Sequence, residues 1–315
     1  MMTAFELEAM RAVFGERLQT GVPMARYTTA HTGGPAEALL VANTANNLAE
    51  IAQTLWQIGA PFRVLGGGSN VLVSDAGISG MVVVLNRARQ VRFSEPHETP
   101  TVWAESGANF GALARTAAAR GLAGLEWAAG IPGTVGGAVV GNAGAHGGDM
   151  SANLVLAEIL HQEPGGGIQR TQWPVERLEY SYRCSALKHQ PGRGIVLAAV
   201  LHLERSTPEA VQTKIEAFAA HRQRTQPPGP STGSMFKNPP GERAGRLIDA
   251  AGLKGSRVGD AEISMLHANF FINRGQATSA DFYALIEKAR STVQEKFGVA
   301  LELEVELLGD WEGKQ

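Results

Sequence analysis

Cysteine is almost absent from the sequence: Cys184 is the only one in 315 residues. A single cysteine excludes an internal disulfide and fits a reducing compartment. Cys184 itself has two interpretations, a nucleophile or a residue with no chemical role, and we favour the second.

Long apolar runs are absent as well. The longest, such as residues 195–201, fall far short of the roughly 20 residues that a membrane-spanning helix needs. The N-terminus carries acidic residues and a helical apolar period, where a signal peptide would carry a basic region and an apolar block. We therefore expect a soluble, cytoplasmic protein with no membrane insertion.

The chain also lacks an excess of charge of either sign, since its formal net charge is only -2. This balance argues against a nucleic-acid partner, so local Arg and Lys clusters must hold any anionic ligand. Two common nucleotide-binding motifs are missing. No glycine cluster ends in Gly-Lys-Ser/Thr, and the sequence GGGSNVLVS at residues 66–74 continues into β-prone residues where a dinucleotide-binding fold would open a helix.

What the sequence has in abundance is clustered glycine. Residues 130–148, GIPGTVGGAVVGNAGAHGG, contain eight glycines, and a second cluster, GGGSN, covers residues 66–70. Glycine orders at a cost of about 0.5–1 kcal/mol relative to alanine, so we expect loops here rather than helix or strand. One interpretation is a purely structural loop, and the other is backbone that approaches a large phosphate-bearing ligand.

Apolar periodicity divides the remainder into helices and strands, and the last third reads as a small α+β unit. A domain edge is expected near Arg205, because residues 206–208 combine a helix cap with proline in the first turn. In the last third, we predict a helix from Ala280 to Phe297 capped by Ser279, and a strand from Leu301 to Leu308.

Three further clusters are rich in reactive side chains: YSYRCSALK at 180–188, GSMFKNP at 233–239, and the predicted terminal strand. In that strand Glu302, Glu304 and Glu306 would share one face, because side chains two residues apart point the same way. Taken singly, the clusters also fit an exposed turn, a domain linker and a solvated sheet edge.

Read in order, these clusters form a pattern. GGGSN, GIPGTVGGAVVGNAGAHG, YSYRCSALK, GSMFKNP, HANFFIN (267–273) and LELEVELLG (301–309) closely resemble the UDP-N-acetylenolpyruvoylglucosamine reductases of peptidoglycan synthesis, the MurB family. The resemblance extends from about Thr32 to Gly309. It implies an α+β protein with a two-domain FAD-binding fold of the vanillyl-alcohol-oxidase/PCMH type and a third α+β domain for the substrate.

The domains implied are FAD-binding subdomains at 1–85 and 86–206, a UDP-sugar domain at 207–300, and a C-terminal strand with the tail at 301–315. The resemblance also implies non-covalent FAD and NADPH as reductant. The substrate would be UDP-N-acetylglucosamine enolpyruvate, reduced to UDP-N-acetylmuramate.

The resemblance assigns three catalytic residues. Hydride addition to the enolpyruvyl double bond leaves an enolate beside a carboxylate, and Arg183 matches the arginine that would spread this charge. Ser234 matches the serine that would donate a proton to the adjacent carbon. Glu304 would assist at the enolate as a protonated carboxyl, although the alternation alone does not choose it over Glu302 or Glu306.

The resemblance also implies the binding residues. The FAD pyrophosphate would lie on Gly66, Gly67, Gly68, Ser69, Asn70 and Val71. The isoalloxazine and the remaining phosphate path would be lined by Ile131, Gly133, Thr134, Gly136, Gly137, Gly141, Asn142, Ala143 and Gly144. The substrate would contact Lys237 and Asn238, with Arg222, Arg224, Gln226 and His267 as further candidates; His267 also fits an ordinary packed histidine.

One departure from the family pattern is visible. Arg183 and Ser234 are only 51 positions apart, too few for the loop whose tyrosine closes over the substrate in one type of family member. The chain resembles the second type, which lacks this lid, and Tyr180 or Tyr182 would have to substitute in part.

Two rival functions fit parts of the same pattern. The first is a covalent-flavin oxidase of the same fold, in which His146 would be the local tether. The second is a non-catalytic nucleotide-sugar binding protein, which would leave Ser234 and Glu304 without a role. No metal is expected, and the oligomeric state is expected to be a monomer or a weak homo-oligomer.

Overall fold

The computed structural model describes Met2 and residues 4–163, 165–190, 192 and 194–311, with the backbone alone for residues 4–6. The helices are α1 (Ala4–Phe14), α2 (Ala45–Gln57), α3 (Phe110–Ala119), α4 (Val135–Gly141), α5 (Met150–Asn153), α6 (Ala186–His189), α7 (Pro208–Thr225), α8 (Ala244–Ala250) and α9 (Ser279–Phe297). None of the helices within the described ranges is both long and apolar enough to cross a membrane.

Most strands are short, and the longest have nine residues. They are β1 (Val22–Pro23), β2 (Pro35–Ala42), β3 (Phe62–Leu65), β4 (Val71–Val73), β5 (Ile78–Asn86), β6 (Val91–Phe93), β7 (Thr101–Glu105), β8 (Leu122–Ala123), β9 (Gly144–Ala145), β10 (Gly148–Asp149), β11 (Leu154–Gln162), β12 (Ile168–Pro174), β13 (Gly194–His202), β14 (Glu204–Arg205), β15 (Ser231–Ser234), β16 (Arg257–Val258), β17 (Ala261–Ile263), β18 (Phe270–Asn273) and β19 (Glu306–Leu308).

The chain forms two compact units. The first comprises residues 1–38, 68–81 and 222–315, and the second comprises residues 39–67 and 82–221. The polypeptide passes from one unit to the other within β2, between Gly67 and Gly68, within β5 and within α7. The division into subdomains 1–85, 86–206, 207–300 and 301–315 stays a prediction.

The second unit is built on an antiparallel sheet in the order β12-β11-β13-β7-β6. In the same unit β3 pairs with β5 in parallel, from Phe62 opposite Val82 to Leu65 opposite Leu85. The core beneath α3 and α4 includes Phe110 and Trp127, whose rings meet edge to face at 5.4 Å. Burial of this apolar set supplies the main stabilisation of the unit.

The first unit has its own sheet and core. Its antiparallel sheet has the order β15-β18-β17-β16, and β19 pairs in parallel with β4. Helix α9 covers β16 and β17 with buried side chains such as Phe282, while Phe236 and Phe271 meet edge to face at 6.1 Å. The mixed content confirms the predicted α+β class.

The glycine-rich stretch corrects one expectation, because it contains helix α4 where we expected loop. Thr134 caps the helix by accepting from the Gly137 amide, and Val135, Ala138 and Val139 are buried. These three residues lie three and four apart, on one helix face. Their burial outweighs the low helix propensity of the glycines, as tertiary packing often does.

Two details near the C-terminus also differ from the expectations. The cap of α9 is Thr278, not Ser279: its hydroxyl accepts from the Asp281 amide, and the Asp281 carboxylate accepts from the Thr278 amide in return. The terminal strand is much shorter than expected and runs only from Glu306 to Leu308. Before it, the backbone bends, with a single bridge between Phe236 and Leu303.

Candidate active site

The two glycine clusters, separate in sequence, pack against each other in the second unit. A Cβ at Gly66 would collide with the Thr134 hydroxyl, and one at Gly67 would lie 3.0 Å from the Gly133 Cα. Gly68 belongs to the first unit, where its φ is +61° and a Cβ would collide with the Tyr27 carbonyl. Several glycines are therefore required by the protein itself, because the loops approach each other too closely for any side chain.

The glycines of α4 and the hairpin after it fall into two groups. A Cβ at Gly136 would lie 2.8 Å from the Ser106 side chain, and one at Gly144 would lie 2.8 Å from the Asp149 side chain. Neighbouring protein atoms therefore leave no room for a side chain at these two positions. A Cβ at Gly137 would meet its nearest protein atom only at 3.5 Å, and one at Gly141 would meet none within 4 Å. Residues four apart share a helix face, so Gly137 and Gly141 leave one face of α4 bare.

This bare face fits a cofactor with a flat ring. Glycine in a helix costs up to about 1 kcal/mol relative to alanine, and no protein atom accounts for that cost at Gly141. A planar group laid against the backbone would account for it. The residues present thus fit the FAD that the sequence predicts.

Asn142, also a predicted cofactor residue, makes its side-chain hydrogen bonds to backbone groups of the protein. It occupies the left-handed C-cap position of α4, with φ 42°. Its side-chain nitrogen donates to the Ser181 carbonyl at 3.0 Å, and its side-chain oxygen accepts from the Ser151 amide at 3.1 Å. Asn142 therefore fixes the turn that carries the predicted catalytic arginine.

Arg183 lies at a strained point of that turn. Its φ is +58°, which costs a non-glycine residue of the order of 1 kcal/mol. Reciprocal backbone hydrogen bonds between Ser181 and Cys184, at 3.2 and 3.1 Å, hold the conformation. One guanidinium nitrogen donates to the Gly144 carbonyl at 3.1 Å, so the arginine head group rests on the glycine-rich stretch.

The structure separates the two tyrosines that the sequence left equivalent. Tyr180 is partly buried and donates its hydroxyl to the Val139 carbonyl at 2.8 Å, and burial raises its pKa well above the usual range. Tyr182 is 54% exposed, with the Arg183 guanidinium 5.5 Å from its ring centre. Only Tyr182 has the exposure expected of a lid substitute.

His146, the residue considered as a flavin tether, packs on helix α7. Its ring stacks on Phe218 with centroids 4.4 Å apart and an angle of 10° between the planes, and it meets His221 edge to face at 5.6 Å. The stacking gives the half-buried ring a structural role, so a covalent flavin bond is not needed to explain it.

In the first unit, backbone bonds bring the segments of Ser234 and Glu304 together. Ser234 ends β15, and the next residue, Met235, has its carbonyl bonded to the Glu304 amide at 3.0 Å. Both Ser234 and Glu304 are half-buried. The backbones of two of the three predicted catalytic residues, Ser234 and Glu304, are thus linked through Met235.

The three glutamates do not share a strand face, contrary to the expectation. Asn70 spans the bend that separates them: its side-chain nitrogen donates to the Glu304 carbonyl at 3.1 Å, and its carbonyl accepts from the Glu306 amide at 3.0 Å. Glu302 is 72% exposed at its side chain and forms an ion pair with Lys237. Glu302 therefore differs from Glu304 and Glu306, which are both half-buried.

The predicted substrate residues of the GSMFKNP segment are occupied by protein contacts. Lys237 pairs with Glu302, and the Lys237 amide donates to the Glu302 carbonyl at 2.9 Å. The side-chain oxygen of Asn238 accepts from the Ala244 amide at 3.1 Å, at the start of α8. A ligand at Lys237 would have to compete with Glu302.

His267 forms part of the turn before β18. Its Nδ1 accepts from the Asn269 amide at 3.2 Å, and burial lowers its pKa. Its ring meets the Phe270 ring edge to face, with the ring centres 5.0 Å apart. The ring also packs on Gly245, where an added Cβ would lie 2.9 Å from a ring carbon of His267. These contacts match the packed-histidine interpretation, which the sequence left open.

The remaining candidates follow one another at the end of α7. Burial lowers the pKa of Arg222, whose carbonyl accepts from the Gln226 amide at 2.7 Å. Arg224 is exposed and Gln226 is half-buried.

Asn269 is a further residue of interest that the sequence patterns did not single out, although it lies within HANFFIN. Asn269 is buried, with 3% exposure, and its side-chain amide bonds to both the amide and the carbonyl of Phe236. A polar residue followed by the apolar strand β18 was the available signal.

The comparisons with known proteins define first a class. Residues 36–171, which contain both glycine clusters and α4, match the family model described as an FAD binding domain. The chain is therefore a flavoprotein, and the bare face of α4 lies within its cofactor domain.

The particular family follows from longer matches. Residues 223–308 match the model described as UDP-N-acetylenolpyruvoylglucosamine reductase, C-terminal domain. The UDP-N-acetylenolpyruvoylglucosamine reductase of Chloroflexus aggregans is 47% identical over 92% of this chain and 97% of its own, and that of Rubrobacter xylanophilus is 45% identical over 91% and 94%. The chain belongs to the UDP-N-acetylenolpyruvoylglucosamine reductase family, FAD-dependent oxidoreductases of peptidoglycan synthesis.

A solved structure agrees. The crystal structure of UDP-N-acetylenolpyruvylglucosamine reductase (MurB) from Thermus caldophilus has a TM-score of 0.77 and 38% identity, covering 93% of this chain and 99% of that one. The resemblance inferred from six sequence blocks is thereby confirmed, and so is FAD as the cofactor.

Proposed function

We propose that the chain reduces the enolpyruvyl group of UDP-N-acetylglucosamine enolpyruvate to UDP-N-acetylmuramate at the expense of NADPH. In this reaction the carbon–carbon double bond is replaced by two C–H bonds, one made by hydride and one by a proton. NADPH becomes NADP⁺, so electrons and protons balance. The residues proposed to act are Arg183, Ser234 and Glu304.

The observation that carries the proposal is the link between Ser234 and Glu304. The Met235 carbonyl accepts from the Glu304 amide at 3.0 Å, which links the backbone of Glu304 to the residue that follows the proposed proton donor. Serine is a weak acid, but an enolate carbon is basic enough to take its proton when the geometry is fixed. Glu302 is exposed and paired with Lys237, whereas Glu304 is half-buried, as is Glu306, and this difference supports Glu304 over Glu302.

Arg183 is proposed to stabilise negative charge in the transition state. Its planar guanidinium suits an enolate conjugated with a carboxylate, because two donors can face two oxygens. The hydrogen bond to the Gly144 carbonyl and the constrained turn at Ser181 and Cys184 support a fixed head group. A fixed cation stabilises developing charge without reorganisation during the reaction.

The cofactor would be held by the glycine clusters and by the bare face of α4 at Gly137 and Gly141. FAD, when bound there, supplies hydride transfer between NADPH and the substrate. The chain's own contribution is to present backbone amides to phosphate and to exclude side chains from the ring. The roles of Ser69, Asn70, Val71 and Ile131 remain predictions of the same kind.

The substrate diphosphate is proposed to contact Lys237 and Asn238, with Arg222, Arg224, Gln226 and His267 as secondary candidates. Lys237 would exchange its bond to Glu302 for one to phosphate. A cytoplasmic location and a monomeric or weakly associated state also remain predictions, and size-exclusion chromatography would test the latter.

The experiment is a comparison of the two half-reactions in Ser234→Ala. NADPH should still bleach the flavin at the wild-type rate, whereas reoxidation by the enolpyruvyl sugar should slow by about 10²–10⁴-fold, the usual contribution of a positioned acid. Ser231→Ala on the same strand is the control, because the Ser231 contact to Thr29 uses only its backbone carbonyl. Equal losses in both half-reactions would remove Ser234 from the donor role.

The rival functions predict other outcomes. A nucleotide-sugar binding protein would bind the substrate and consume no NADPH. A covalent-flavin enzyme would keep its yellow colour in the acid precipitate, whereas a non-covalent one releases it to the supernatant.

A further inference from the structure

Asn269 makes an unusual set of hydrogen bonds to the segment that follows Ser234. Its side-chain nitrogen donates to the Phe236 carbonyl at 2.8 Å, and its side-chain oxygen accepts from the Phe236 amide at 2.9 Å. Its backbone carbonyl accepts from the Met235 amide at 2.8 Å. One residue therefore holds three backbone groups of Met235 and Phe236.

These bonds continue where strand pairing stops. The regular pairing of β15 with β18 ends at Ser234, opposite Phe270, and shows an irregularity between Ser231 and Ser234. Beyond Ser234 the side-chain amide of Asn269 replaces a neighbouring strand, since it offers one donor and one acceptor as a peptide group does. The backbone just after the proposed proton donor is thus fixed by a side chain.

The same segment holds Glu304. The Phe236 amide, which Asn269 holds, belongs to the same planar peptide group as the Met235 carbonyl, and this carbonyl accepts from the Glu304 amide at 3.0 Å. The Lys237 amide, one residue after Phe236, donates to the Glu302 carbonyl at 2.9 Å. Any shift of Met235 and Phe236 would therefore displace Ser234 and Glu304 relative to each other.

Asn269 is well suited to rigidity. It is 3% exposed, and its side-chain nitrogen and oxygen both have protein partners. Hydrogen bonds in a buried environment are strong, and losing one partner leaves the other unsatisfied at a cost. The backbone amide of Asn269 donates to Nδ1 of His267, so this histidine belongs to the same hydrogen-bond network.

We propose that Asn269 is a positioning residue for proton delivery, which sets the alignment of Ser234 with Glu304 through the backbone of Met235 and Phe236. The inference rests on the proposed function, since it assumes that Ser234 donates the proton. It assigns Asn269 no contact with substrate or cofactor.

The test uses Asn269→Asp and a matched control, Asn273→Asp. The aspartate keeps the shape but puts an acceptor opposite the Phe236 carbonyl, so the two oxygens repel. Asn273 is the last residue of β18, the strand that begins directly after Asn269; it is buried, with 6% exposure, and donates to the Ala30 carbonyl at 3.0 Å while accepting from the Gly275 and Ala277 amides. Both variants lose a buried amide donor, but only one of these donors supports Ser234.

The measurements are anaerobic stopped-flow rates of flavin reduction by NADPH and of reoxidation by the enolpyruvyl sugar, in H₂O and in D₂O. For Asn269→Asp we expect reduction within about threefold of wild type and reoxidation slowed about 10²-fold, as small misplacements of reacting groups can cause. The solvent isotope effect on reoxidation should rise, because proton transfer becomes more rate-limiting. Asn273→Asp should leave both rates and the isotope effect near wild type.

Loss of stability alone would not reproduce this pattern. Equal slowing of both half-reactions in Asn269→Asp, or an unchanged isotope effect, would overturn the proposal. Asn269→Ser, which shortens the side chain without adding charge, provides the same test should the aspartate variant fail to fold. A wild-type protein that the enolpyruvyl sugar does not reoxidise would instead refute the proposed function.

Discussion

Alanine at Gly141 tests whether the bare face of α4 contacts the cofactor. A methyl group there would meet no protein atom within 4 Å, so the flavin-free protein should accept it without strain. Gly141 is the last residue of the helix, where the propensity gain is smaller than the full value of about 1 kcal/mol for an interior site. We expect flavin-free Gly141→Ala to be more stable than wild type by about 0.5 kcal/mol.

With FAD bound, the same methyl group should have the opposite effect. Adding a methyl to a filled contact typically costs about 1–3 kcal/mol, which corresponds to a loss of affinity of about 5- to 150-fold. The assay is the dissociation constant of FAD by fluorescence titration, together with denaturant unfolding of the flavin-free protein. An unchanged dissociation constant would refute the assignment of this face to the cofactor.

Gly136→Ala supplies the contrast within the same helix. Its Cβ would lie 2.8 Å from the Ser106 Cβ and 3.0 Å from the Ser106 carbonyl oxygen, so the variant should lose stability even without FAD. Opposite signs for Gly136 and Gly141 in flavin-free protein would show that the two glycines serve different purposes. Gly137→Ala, whose Cβ stays at 3.5 Å from Thr134, should behave like Gly141→Ala.

The remaining predictions concern charged pairs of the first unit. Glu302→Gln should release Lys237 and tighten binding of UDP by up to about fivefold, because an exposed pair is worth at most about 1 kcal/mol; unchanged binding by calorimetry would speak against Lys237 as a phosphate contact. Glu262 is buried, and its carboxylate accepts from Arg274 and Arg257, which lower its pKa. The contribution of Glu262 to folding stability is therefore complete above its unfolded pKa of about 4.3, and it declines as the pH falls through the lower folded pKa. Glu262→Gln should cost about 1–2 kcal/mol at pH 7, and the difference from wild type in urea unfolding should shrink toward pH 3.

Elements with a strong local signal were predicted well from the sequence. The helix start expected at residues 206–208 is the start of α7 at Pro208, and the helix expected from Ala280 to Phe297 is α9 at Ser279–Phe297. In both cases a local start signal precedes a segment with buried apolar side chains, so local and tertiary preferences point the same way. The family and the cofactor followed from the order of six short blocks rather than from any one of them.

The glycine-rich stretch shows what composition alone does not determine. Eight glycines suggested loop, but three apolar side chains at helical spacing were enough to form α4 against the core. Composition also could not tell which glycines face protein and which face a ligand. That distinction depends on Ser106 and Asp149, residues outside the glycine runs against which Gly136 and Gly144 pack.

The choice among the three glutamates required contacts between residues far apart in the chain. Alternation in the sequence indicated a strand in which Glu302, Glu304 and Glu306 would be equivalent, and equivalence left the catalytic residue undetermined. In the structure, Met235 bonds to the amide of Glu304, and Asn70 bonds to its carbonyl and to the amide of Glu306. Those partners lie about 70 and 230 positions away in the chain, so no local pattern could reveal the bend. Asn70, a predicted cofactor residue, therefore helps to fix the backbone that carries the proposed catalytic glutamate.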